Sequence, residues 1–147
     1  MSILSWKSEF YPIPASRCKT WLQAAKHSLR KWEGLRKENL KQHQLVRSGL
    51  HLYPSDHQDR IVFTVLGDSC ALCHRARTQN CSQCPITKLG SRACDESGSA
   101  FDIFRHARDY TTWTESTSPE PMIKLLTKVV KSLQRKPVRT KPRKGKS

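Results

Sequence analysis

The residues with the most chemistry in this sequence are its cysteines. Six occur, Cys18, Cys70, Cys73, Cys81, Cys84 and Cys94, and five of them fall between residues 70 and 94. The text runs Cys70-Ala71-Leu72-Cys73, then seven residues, then Cys81-Ser82-Gln83-Cys84-Pro85, with Cys94 further on. Two Cys-x-x-Cys turns in one short segment are a metal signal. Each turn lets two thiolates converge on one ion at Zn–S distances of about 2.3 Å, and two turns complete a tetrahedron. The expected cofactor is Zn2+, held by four of Cys70, Cys73, Cys81, Cys84 and Cys94. His74 is a further possible donor, although a His beside a ligand more often points away. Between the pairs lie Arg75, Arg77, Thr78, Gln79 and Asn80, a stretch too polar to pack by itself, which a metal would close.

Other uses of these thiols fit less well. Disulfides are disfavoured in a reducing cytosol. An iron–sulfur cluster has a partial cue in Cys84-Pro85, but the spacings do not match ferredoxin motifs. A thioredoxin-like dithiol needs a strand and a helix in a βαβ setting. Residues 61–66 offer the strand, but the second Cys pair and Pro85 interrupt the helix.

Charge is the second feature. The chain has 147 residues, with 27 Lys plus Arg against 12 Asp plus Glu, a net +15. Residues 131–147 hold eight cations and no acid: Lys131, Arg135, Lys136, Arg139, Lys141, Arg143, Lys144 and Lys146. That leaves only +7 for the other 130 residues. Pro137, Pro142 and Gly145 punctuate this tail, which has almost no apolar residue after Leu133 and is expected to be disordered. Such an arm neutralises phosphates and releases counterions. The expected nucleic-acid contacts are these eight cations, with Arg75 and Arg77 as a second site at the Cys loop. The plainer alternative is a solubilising tail.

No Gly-rich phosphate loop and no nucleophile elbow occurs. The histidines, at 27, 43, 51, 57, 74 and 106, are scattered. His51, Asp56 and His57 suggest a zinc-containing nuclease of the His-Asn-His type, but no paired His-Asn-His spacing follows the Cys loop. A polar hairpin turn explains them more simply.

The elements that must position these residues follow from pattern. Residues 1–14, with Trp6, Phe10, Tyr11, Pro12 and Pro14, read as extended. A first helix begins near Ser16 as N-cap. Trp21, Ala25, Leu29 and Trp32 form its stripe, with Gly34 as its stop. Trp21 and Trp32 are assigned to the core rather than to base stacking. A shorter helix covers residues 37–44 with Leu40 inward. Residues 50–53 and 60–66 read as a hairpin across the polar turn 55–59, with Gly67-Asp68 delivering the chain into Cys70. A helix is expected over residues 101–113. The last helix starts with Ser118 as N-cap and Pro119 at N1. Its stripe is Met122, Leu125, Leu126, Val129, Val130 and Leu133, with Lys124, Lys128 and Lys131 off it.

Two blocks carry a resemblance. The first is Ser28-Leu29-Arg30-Lys31-Trp32-Glu33-Gly34-Leu35, followed by Glu38-Asn39-Leu40 and His43. The second runs from Cys70-Ala71-Leu72-Cys73 to Cys81-Ser82-Gln83-Cys84-Pro85-Ile86, then Gly90 and Cys94. Together they resemble a group of small Cys-rich phage and prophage proteins with no assigned activity, over residues 21–113. The resemblance implies a phage or bacterial origin and a metal centre at these cysteines. It implies no activity, and it covers neither the tail nor Cys18.

The expectation is thus a small, helix-rich α+β domain over residues 1–134, with a short antiparallel hairpin and a Cys-rich zinc loop. A disordered basic tail follows over residues 135–147. With 36% hydrophobic residues against the roughly 45–50% of ordinary chains, a count that includes Gly, the core is lean. No apolar stretch approaches the roughly 20 residues of a membrane span, and residues 1–10 lack a secretory h-region. A cytoplasmic, non-enzymatic protein that binds nucleic acid is the reading. The alternatives are an adaptor acting on a host protein and the zinc-containing nuclease.

Overall fold

In the computed structural model, the described residues are 2–65, 69–76, 84–89 and 118–135. They form a small α+β fold, as the sequence suggests. Helix α1 spans Ile3–Phe10, α2 Trp21–Glu33, α3 Lys37–Gln42, α4 Ala71–Ala76, α5 Pro85–Lys88 and α6 Glu120–Arg135. Strands β1 (Leu45–Ser48), β2 (His51–Pro54) and β3 (Phe63–Thr64) make one antiparallel sheet in the order β1-β2-β3.

The N-terminal segment is helical, not extended. Pro12 and Pro14 lie beyond the helix end, where they cannot break it. Ser2 and Ser5 close a capping box: the Ser2 hydroxyl accepts from Leu4 N–H at 3.2 Å and the Ser5 hydroxyl from Ser2 N–H at 2.9 Å. Trp6 and Phe10, four residues apart and therefore on one face, are both buried. Phe10 packs so closely on Gly34 that a Cβ there would lie 2.5 Å from Phe10 Cγ. Gly34 has φ −67°, so the glycine serves this approach and not a left-handed stop. Trp6 Nε1 donates to the Gly34 carbonyl at 2.8 Å.

Helix α2 starts later than expected. Residues 15–17 form a 3₁₀ turn, and the N-cap is Thr20, whose hydroxyl accepts from Gln23 N–H at 3.0 Å. The Gln23 side chain accepts in turn from Lys19 N–H at 2.8 Å. A Thr with Gln three residues on is a capping signature, and Ser16 lacks one. Trp32 is fully packed, whereas Trp21 stays partly exposed at the edge. The buried set of α2 is Ala24, Ala25, His27, Ser28, Lys31 and Trp32, so its inward face is more polar than its apolar stripe.

Strands β2 and β3 are the expected hairpin, in register His51 with Thr64 and Leu52 with Phe63. Strand β1 extends the sheet, pairing Arg47 with Leu52 and Ser48 with His51. Gly49 takes φ 59° in the tight β1–β2 turn, a conformation glycine adopts freely. Arg47 Nη1 donates to the Gly49 carbonyl at 2.7 Å.

Helix α6 matches its pattern. Ser118 Oγ accepts from Glu120 N–H at 3.1 Å. Met122, Ile123, Leu126, Val129 and Val130 are buried, with Leu125 and Leu133 half-buried beside them. It packs on α2 and α5. Arg36, just past α2, pairs with Glu120 at the start of α6 at 2.7 Å. Trp21, at the start of α2, shares a groove with Val129, Ser132 and Leu133 near the end of α6. The two helices are therefore antiparallel. The helix expected at residues 101–113, Gly67-Asp68 and residues 136–147 lie outside the described residues; Arg135, which the sequence reading placed in the tail, is the last residue of α6. Among the described residues no helix is long and apolar enough to cross a membrane.

Candidate metal centre

Cys70 directly precedes α4, and its carbonyl accepts from His74 N–H at 3.1 Å, opening the helix. Ala71 and Leu72 are buried in the core. This anchors the turn and leaves Cys70 and Cys73, three residues apart, partly buried and hydrogen-bonded to each other. The apolar pair inside Cys70-Ala71-Leu72-Cys73 is thus what presents the two thiols together.

Helix α2 supplies the other wall. Ser28 Oγ lies 3.8 Å from Cys70 Sγ. Lys31 is 1% exposed, and its Nζ donates to the Ser69 carbonyl at 3.0 Å and to Ser69 Oγ at 3.4 Å. The Cys73 thiol, ahead of the Lys31 charge and Ser28, holds the Cys70 thiol well below its ordinary range, although burial pushes the other way. The two sequence blocks that carry the resemblance therefore meet in space, Ser28 and Lys31 from the first against Cys70 from the second. Sequence pattern missed Lys31 and Ser28 as site residues.

Cys84 is buried and precedes α5, with Pro85 at the first helical position and Pro85 and Ile86 buried. Cys18 is buried beyond the pattern; burial raises its pKa, partly opposed by the Arg75 charge. Among the described residues no group of three or more His, Cys, Asp or Glu stands together to hold a metal ion. Cys81 and Cys94, two of the expected ligands, lie outside the described residues. Two adjacent thiols, Cys70 and Cys73, are thus what the described residues contribute toward a tetrahedral site. The described sheet is antiparallel, so it offers no βαβ setting for a thioredoxin-like dithiol.

The expected cationic contacts divide. Lys131 and Arg135 are exposed on α6. Arg75 is turned inward: its Nη1 donates to the Lys19 carbonyl at 2.7 Å and its guanidinium lies 5.2 Å from the Trp21 ring centre. Arg77, Lys136, Arg139, Lys141, Arg143, Lys144 and Lys146 lie outside the described residues. Of the nuclease candidates, His51 Nδ1 lies 3.0 Å from Thr64 Oγ1 across the sheet, while Asp56 and His57 sit in the exposed turn.

A second polar constellation, unread in the sequence, joins α1 to the end of α3. His43 is buried, with Nδ1 2.8 Å from Ser5 Oγ and Nε2 2.8 Å from Glu9 Oε1. A hydroxyl, imidazole and carboxylate in line are the parts of a nucleophile relay. Here the same Ser5 hydroxyl accepts from Ser2 N–H and lies 2.8 Å from the Ser2 carbonyl. A hydroxyl so engaged serves as a staple for the helix start.

Comparison with family models, with curated proteins and with solved structures finds no match for this chain.

Proposed function

We propose that this protein is a non-enzymatic, zinc-stapled module of a bacterial or phage-infected cytoplasm that binds nucleic acid. The observation that carries the metal half is the pair of touching thiols at Cys70 and Cys73, with Ser28 and the buried Lys31 facing Cys70. A buried cation is favourable only beside compensating negative charge, and a zinc ion held by four thiolates is a net-negative centre. Two of Cys81, Cys84 and Cys94 would complete the four ligands. A closed zinc site adds folding free energy that a lean core lacks. The nucleic-acid half rests on the +15 charge and its concentration after residue 130.

The deciding measurement is elemental analysis of full-length protein purified without tag or chelator. One equivalent of zinc in a colourless protein is expected, lost in Cys70→Ser and Cys73→Ser and kept in Cys18→Ser. A brown protein absorbing in the visible, or a metal-free protein with paired cysteines, overturns the zinc reading. Retention on heparin with a steep salt dependence supports the second half. Elution at low salt removes it.

A further inference from the structure

Helix α6 has two faces, and its apolar one is already covered by α2 and α5. On the other side Lys124, Lys128, Lys131 and Arg135 are all exposed. Their spacing of four, three and four residues sets them, at about 100° per residue, within an arc of about 60° and along about 16 Å of helix axis. Glu120, the one carboxylate in the helix, is taken by Arg36. The stripe therefore carries four cations and no acid.

We propose that this stripe is a docking track for the phosphate backbone of nucleic acid, feeding into the cations of residues 136–147. The proposal deepens the nucleic-acid reading above and rests on it. It extends the binding surface along a folded helix, and it adds Lys124 and Lys128.

Three arguments select this partner. First, like charges one turn apart on a helix repel. A polyanion turns that repulsion into attraction. Second, a basic amphipathic helix binds a membrane surface by inserting its apolar face. Here that face lies in the core, and lipid tails have nothing to take up. Third, a protein partner is held by a central cluster of aromatic, apolar or Arg anchors, and this stripe has no aromatic or apolar residue and a single Arg at its end. What remains is a row of cations, the complement of a backbone with one charge per 3.4 Å of each strand. Phosphate contacts carry no base information, so the track is indifferent to sequence.

The test compares three full-length proteins on a short DNA duplex, an RNA duplex of the same sequence and a shuffled DNA duplex, titrated across salt. In the stripe variant Lys124, Lys128, Lys131 and Arg135 become Gln, a good helix former. In the tail variant Lys136, Arg139, Lys141, Arg143, Lys144 and Lys146 become Gln. Circular dichroism and melting confirm that both fold. For the stripe variant the slope of log K against log salt on DNA becomes shallower by about 3 to 4, with equal loss on both DNA sequences; the RNA arm identifies which backbone is preferred. An unchanged slope in the stripe variant, with binding abolished in the tail variant, overturns the track and leaves the nucleic-acid reading standing. No binding by the unaltered protein removes both. Stripe-dependent binding to anionic lipid vesicles but to neither duplex assigns the face to a membrane and overturns the proposal.

Discussion

Gly34 shows how much one missing methyl group decides. A Cβ at this position would press into the Phe10 ring at 2.5 to 2.9 Å, and the ring is itself wedged beside Trp6 with centroids 6.0 Å apart. Gly34→Ala is therefore expected to destabilise by about 1–3 kcal/mol, the range for overpacking a core, read from urea midpoints. His27 gives a pH signature. Burial, reinforced by the Lys31 charge and only partly opposed by the Ile13 carbonyl and Cys70, holds its imidazole below the ordinary 6.5. As pH falls the unfolded chain takes up this proton before the folded one does. Stability from this group is complete above about pH 6.5 and declines as pH drops below it. His27→Gln should flatten that part of the stability–pH curve, whereas an unaltered curve would mean that His27 protonates freely in the fold.

At the scale of elements, α6 carries the stability and its flanking ion pair does not. Leu126 is fully buried at the centre of its apolar stripe, and Leu126→Ala is expected to cost about 2–5 kcal/mol. Glu120→Gln, which breaks the exposed pair with Arg36, should change the same chemical-denaturation midpoint by no more than about 1 kcal/mol. Helix α6 was legible in the sequence because its apolar offsets repeat with the helical period and Ser118-Pro119 marks its start. Strand β1 was not, because Arg47 points inward: it is 3% exposed, and burial lowers its pKa to about 10. An inward arginine erases the apolar alternation that announces a strand. Helix α1 was hidden by the prolines that follow it. Lys31 was hidden for a different reason: its partners, Ser69 and Cys70, lie nearly forty residues away, and no local pattern reports a contact made across the fold.

For the whole molecule, the sequence announced the cysteine pairs by spacing alone, but not which surface they face. The structure supplies that surface for Cys70 through α2, which packs against α1, α4 and α6. If zinc ties α4 to the chain beyond it, a strong chelator should lower the melting temperature of the full-length protein, and added zinc should restore it. A melt indifferent to chelator would mean that the core closes without the staple. The antiparallel seating of α6 on α2 has a consequence for the protein as it is made. Trp32 leaves the ribosome 94 residues ahead of Leu126, and translation runs at about 5–20 residues per second. The side of α2 that α6 will cover thus waits roughly 5–20 seconds for it. During synthesis this surface is a substrate for nascent-chain chaperones, and a stalled message ending before α6 would release it uncovered.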